Sequence, residues 1–271
     1  MTPTAKTVAL PNGVDLQYAE QGRRDGIPVV LLHGITDSWR SFEPVLAHLP
    51  DSLHAFAVTQ RGHGDASRPP SGYRVEDFAA DVGLFMDALG IDSAVLGGHS
   101  MGSVVAQRFA IDRPERVRAL VLIGAVATLQ GNAPVEELWD AAVSKLADPI
   151  DRGFVLDFQR STIAQEVPLD FLEAVVDESL KVPARVWRAA FGALLEADLT
   201  PALGKIAAPT LVLWGDTDVI ASASQQARLA KGITGAELRI YAGAGHAPHW
   251  EEPDRVGADL AAFAAALRQS A

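Results

Sequence analysis

Cysteine is absent from all 271 residues, which excludes disulfides, thiolate nucleophiles and cysteine-ligated metal sites. Basic residues are in deficit, with 23 lysines and arginines against 34 aspartates and glutamates and a formal net charge of −11. A polyanion would meet net repulsion from such a surface, so neither a nucleic-acid backbone nor an anionic membrane is an expected partner. Long apolar runs are missing too. The longest, residues 119–129, is too short to cross a bilayer, and the polar first 26 residues hold no apolar leader-like segment, so the expected location is cytoplasmic.

What is present is an alternation. Strand patterns at residues 7–10, 14–18, 28–32, 55–59, 94–98 and 119–123 are followed, after a gap, by two more at 210–214 and 237–241. Helical patterns fall near 38–48, 75–89, 100–111, 222–231 and 253–268. Strands alternating with helices imply an α/β fold with a mostly parallel eight-stranded sheet. Between residues 127 and 208 the strand signal disappears, and helical periodicities punctuated by Pro134, Pro149, Pro168, Pro183 and Pro201 replace it. The expected organisation is a core of residues 1–126 and 209–271 with a helical cap, 127–208, inserted above the carboxyl edge of the sheet.

The chemistry begins at Val95-Leu96-Gly97-Gly98-His99-Ser100-Met101-Gly102, where an apolar strand breaks into Gly-x-Ser-x-Gly and resumes as a helix. A serine hydroxyl is a weak nucleophile at neutral pH and needs a base beside it, so it has to stand on a sharp exposed turn. Gly98 and Gly102 flank Ser100 where any side chain would crowd that turn. The partners of such a serine should follow as acid, then histidine, each just beyond a later strand. The strand at 210–214 runs into Gly215-Asp216-Thr217-Asp218, and the strand at 237–241 runs into Gly243-Ala244-Gly245-His246. In these roles His246 is general base and acid, and one of the two aspartates orients it.

Upstream, Val29-Val30-Leu31-Leu32 ends in His33-Gly34-Ile35-Thr36. A tetrahedral intermediate needs two donors aimed at its oxygen, and the expected pair is the backbone N–H of Ile35 and that of Met101, directly after the nucleophile. His33 and Gly34 support this loop, as Gly98 and Gly102 support the serine turn.

Together, His33-Gly34, Arg61-Gly62-His63-Gly64, Gly98-His99-Ser100-Met101-Gly102, Gly215-Asp216-Thr217-Asp218 and Gly245-His246 resemble the α/β-hydrolase superfamily across nearly the whole chain. The pattern looks like its cofactor-free branch of small esterases, lactonases, C–C hydrolases and non-haem haloperoxidases. The resemblance implies Asp218 as the acid, with Asp216 as runner-up, and no cofactor. The chain departs from the family pattern at Gln60, where an acidic residue is common, and at Ser103, where a second glycine is common.

Other motifs have plainer readings. His246-Ala247-Pro248-His249 has a proline between its histidines and no further ligand, so no metal site is expected. The glycine-rich turn lacks the Gly-Lys-Ser/Thr ending of a phosphate cradle. His99 and His63 are expected to brace their loops, and Arg160, Arg185 and Arg188 to sit on solvated helix faces. Trp39, Trp139 and Trp187 are candidates for the walls of an apolar substrate pocket. The expected activity is hydrolysis of a small, mostly apolar ester or lactone through an acyl-enzyme, in a monomer or homodimer. The same residues would serve C–C cleavage of a vinylogous β-diketone, perhydrolysis, or a slow-turnover ligand sensor.

Overall fold

The computed structural model of the chain describes residues 4–267. Eight strands form one sheet: β1 Ala5–Ala9, β2 Asp15–Gln21, β3 Ile27–Leu32, β4 Leu53–Val58, β5 Ala94–His99, β6 Val117–Ile123, β7 Thr210–Gly215 and β8 Glu237–Tyr241. Their spatial order is β1-β2-β4-β3-β5-β6-β7-β8. The β1/β2 and β2/β4 pairs are antiparallel and the other five pairs are parallel.

Both faces of the central strands are covered, which is why those strands read as continuous apolar runs. The period of two sorts their side chains. Val30, Leu32, Leu96, Leu120 and Leu122 join a core with helices α2 Val75–Ala88 and α3 Met101–Asp112. Val29, Leu31, Val95, Val121 and Ile123 join a second core with α1 Glu43–Leu46 and α10 Pro253–Ala266. The final residue of the helix expected over 253–268, Arg268, lies outside the described residues. The single helix expected over 38–48 is instead a 3-10 turn, Trp39–Phe42, followed by the one-turn α1. Ser38 caps the turn by accepting from Arg40 N at 3.2 Å, and Pro44 restarts the helix at its first turn, where the missing N–H costs nothing.

Four helices lie between β6 and β7: α4 Ala133–Ala141, α5 Arg152–Arg160, α6 Leu169–Leu180 and α7 Ala184–Glu196. The stem of this insertion is pinned by an antiparallel bridge between Thr128 and Asp198 and by Leu199 N donating to Ala127 O at 2.9 Å. Val176, Val186, Trp187 and Ala190 of the insertion belong to the same apolar cluster as Val104 and Phe109 of α3. The insertion therefore has no core of its own and is held by burial shared with the sheet, at roughly 1.5–3 kcal/mol for each large apolar side chain. After β7 come α8 Ala223–Gly232 and, beyond β8, α9 Pro248–Glu251. Among the described residues no helix is long and apolar enough to cross a membrane.

Candidate active site

Ser100 sits between the end of β5 and the start of α3 with φ +49° and ψ −115°. An L-residue in that region is strained, and the surroundings must hold it there. Ser100 N donates to Ile123 O at 3.0 Å, while Ser103 returns both its N–H (2.9 Å) and its hydroxyl (2.6 Å) to the carbonyl of Ser100. The serine at 103, one of the departures from the family pattern, thus locks the turn with a bond that glycine could not make. A Cβ on Gly98 would collide with the carbonyl of Gly102, and one on Gly102 with the carbonyl of Leu32. The turn is that tight.

His246 follows β8 and is 3% exposed. Its Nδ1 lies 2.8 Å from Oδ2 of Asp218. The other carboxylate oxygen, Oδ1, accepts from Ile220 N and Ala221 N, each at 2.8 Å. With both oxygens accepting, Asp218 requires a proton on His246 Nδ1 and leaves Nε2 as the free lone pair. Asp216 is exposed and engaged elsewhere, its Oδ1 accepting from Gly243 N at 2.7 Å. Ser100 and His246 line the same cavity; among the described residues no hydrogen bond joins their side chains.

The loop after β3 forms the opposite wall. His33 is fully buried: its Nε2 accepts from Gln60 N (3.0 Å), so Nδ1 carries the proton and donates to Gly34 O (2.6 Å). Burial and the neighbouring His63 hold its pKa well below the ordinary value. Gln60 Nε2 also donates to His33 O at 2.9 Å, so the second departure from the family pattern clamps this strand end. Gly34 packs flush against His99, whose Nδ1 would lie 2.7 Å from a Cβ there. Ile35 lines the cavity, and no hydrogen bond takes its N–H among the described residues. Met101 is the first residue of α3, where a backbone N–H has no intrahelical acceptor.

Three further histidines brace the surroundings of the site. His99 Nε2 donates to His246 O at 3.1 Å, and burial drives its pKa well down. His63 donates from Nδ1 to Arg61 O at 2.8 Å, and burial lowers its pKa to about 4. His249 Nε2 lies 3.0 Å from Ser41 Oγ. Among the described residues no three histidine or carboxylate side chains converge to hold a metal ion.

The cavity measures about 190 Å³. Its apolar lining includes Leu138, Phe158, Phe191 and Leu194 from the insertion, with Ile220 and Trp250 from the core. None of the three tryptophans expected in its wall is there. Trp39 belongs to the core on the far face of the sheet, Trp187 is fully buried against Phe154 and Phe158, and Trp139 stacks on Phe191 with centroids 6.0 Å apart. Trp39 and Trp187 are buried in packing seams, where rings of that size gain most by being covered, and Trp139 is half-buried against Phe191. Among the described residues no lysine or arginine lines the cavity: Arg185 donates to the carbonyls of Arg68 and Pro69, Arg188 to that of Leu146, and Arg160 is exposed.

Three residues at the site carry no local sequence signal: Gln159, which lines the cavity from α5, Asp37 and Glu251. Asp37 lines the cavity at 2% exposure and forms no ion pair among the described residues, accepting from Gln159 Nε2 at 3.0 Å and Ser41 Oγ at 3.1 Å. Burial pushes its carboxyl up to about 7. Glu251 accepts from the backbone N–H of Gly245, Ala164 and Gln165, tying the His246 loop to the insertion.

A mostly parallel eight-stranded sheet with a strained serine at a strand-to-helix turn defines a hydrolase-type α/β protein. The family profile for the alpha/beta hydrolase fold matches residues 27–253, and the chain belongs to that family. It is 29% identical to a non-heme chloroperoxidase of Streptomyces lividans, over 95% of this chain and 98% of the relative. It is 26% identical to a 3-oxoadipate enol-lactonase of Acinetobacter baylyi, covering 93% and 91%. Among solved structures, an esterase from Rhodococcus sp. superposes with a TM-score of 0.84 at 26% identity, covering 98% of this chain and all of that one.

Proposed function

We propose that the chain is a serine hydrolase of small, neutral, mostly apolar esters or lactones. The observation that carries this reading is the fixed tautomer of His246: Asp218, anchored by two backbone amides, leaves His246 Nε2 as a base in the cavity that Ser100 lines. Ser100 Oγ attacks the carbonyl carbon and His246 takes its proton. The carbonyl oxygen becomes an oxyanion held by the N–H groups of Ile35 and Met101, an effect worth about 3–4 kcal/mol per donor where one has been removed. The tetrahedral intermediate collapses, His246 returns the proton to the leaving alcohol, and an acyl group stays on Ser100. His246 then deprotonates a water that attacks the acyl carbon, and returns that proton to Ser100 Oγ as the acid leaves.

A cavity of about 190 Å³ suits a small acyl or alcohol group, and among the described residues its lining offers an anionic substrate no lysine or arginine. In this reading residues 127–208 are a cap that shapes the pocket over a catalytic set carried by the core. The kinship with a chloroperoxidase favours perhydrolysis as a second outcome, in which hydrogen peroxide replaces water on the acyl-serine and leaves as a peracid. A panel of neutral p-nitrophenyl esters, alongside analogues with a carboxylate on the acyl chain, tests the proposal. It expects turnover of the short neutral esters and strong discrimination against the anionic ones; binding without turnover identifies a ligand sensor instead.

A further inference from the structure

Two non-glycine residues among the described ones have positive φ: Ser100 and Thr36, at +71°. A β-branched residue in the left-handed region is a marked outlier and persists only where its surroundings hold it. Thr36 directly follows Ile35 and is fully buried, and what holds it comes from the insertion. Gln159 of α5 is 1% exposed, and its Nε2 lies 2.8 Å from Ser179 Oγ of α6, 3.0 Å from Asp37 Oδ1 and 3.2 Å from Thr36 Oγ1. Ser179 spends its own proton on Val175 O (3.0 Å), so its oxygen is free to accept from Gln159 and from Thr36 (3.2 Å). Gln159 has two protons; the two shortest contacts take them, and the Thr36 hydroxyl donates to Ser179. Every donor in this buried set is satisfied, the condition under which a polar network rigidifies its surroundings.

The Gly34–Ile35 peptide plane is fixed from both sides of this knot. Its carbonyl accepts from His33 Nδ1 at 2.6 Å and from Asp37 N at 3.3 Å, which turns the Ile35 N–H the opposite way. Asp37, the residue that closes this turn, is the one whose Oδ1 accepts from Gln159. We propose that Gln159 is a positioning residue for the Ile35 amide, so that seating of the helical insertion and competence of the oxyanion hole are one event. This rests on the hydrolase reading above and gives the insertion a part in the chemical step as well as in substrate choice.

The test uses Gln159→Met, which keeps length and removes both donors, with Ser179→Ala as the milder second variant. The kcat and KM for neutral p-nitrophenyl esters of two chain lengths are compared with the affinity for an aryl trifluoromethyl ketone, which engages the hole as a tetrahedral adduct. Gln159→Met should lower kcat by about 10- to 100-fold with little change in KM, a displaced rather than deleted donor. Ketone affinity should fall by the same factor for both acyl lengths. Ser179→Ala should show the same pattern at a few-fold and carries the test alone if Gln159→Met does not fold. Losses confined to KM, losses that depend on acyl length, or unchanged ketone affinity in an active background overturn the inference. A wild-type chain that neither hydrolyses the esters nor binds the ketone overturns the hydrolase reading and takes this inference with it.

Discussion

Replacing Asp218 by asparagine should nearly abolish turnover while leaving the fold in place. Oδ1 accepts from the amides of Ile220 and Ala221 at 2.8 Å each, and only the amide oxygen of an asparagine could stay there. Its NH2 group must then face His246 Nδ1, now 2.8 Å from an acceptor. A donor in that place forces the proton from Nδ1 to Nε2, and the lone pair that should take the proton of Ser100 is gone. A triad with the wrong tautomer loses about 10,000-fold in kcat, or about 5 kcal/mol of barrier. Asp216→Asn is the control. Its single bond to Gly243 N spans an exposed turn, and asparagine keeps the accepting oxygen, so kcat should hold within a few-fold and stability within about 1 kcal/mol. Initial rates on a p-nitrophenyl ester, with thermal melts on the same preparations, decide it. Equal losses in the two variants, or an Asp218→Asn protein within tenfold of wild type, would refute the tautomer argument.

Asp37→Asn should gain stability over wild type as pH rises. The folded carboxyl titrates near 7 against an ordinary value of 3.8, so between those values the native state holds a proton that the unfolded chain has lost, and wild-type stability falls with rising pH across that window. The full effect is on the order of 4 kcal/mol; melts of both proteins at pH 5 and pH 8 should show the gap widening, and a constant or narrowing gap counts against the burial argument. Trp187→Ala should cost about 3–5 kcal/mol of stability, as a large buried side chain removed from a core does, with no change in acyl-chain preference. Phe191→Ala, in the cavity wall, should shift that preference by about 1–3 kcal/mol. Kinetics over an ester series with paired melts separate the two, and the reverse assignment would mean the pocket wall is elsewhere.

The sheet was legible because both its signals are local. Apolar runs such as Val29 to Leu32 mark strands buried on two faces; Ser100 and Asp218 each follow one such run, and His246 follows the edge strand β8, whose pattern is more exposed. The one-turn α1 was hidden because a proline at a helix start and a proline at a helix break look alike in sequence. Asp37, Gln159 and Glu251 were hidden for another reason. Gln159 meets Asp37 across 122 positions of chain, and no periodicity encodes which polar residue of a helix faces inward. The tryptophans misled because size and apolarity predict burial, and burial in a seam differs from exposure to a cavity only in tertiary packing. Gln60 and Ser103 show the reverse case: departures from a family pattern that, in three dimensions, are hydrogen-bonded supports of the His33 and Ser100 turns.

The most direct test of Ser100 as nucleophile is intact-mass analysis after incubation with a fluorophosphonate. One adduct should form on the wild-type chain and map to Ser100, with Ser100→Ala unlabelled and inactive yet melting as wild type does. Labelling at another residue, or ester turnover that survives Ser100→Ala, would contradict the assignment.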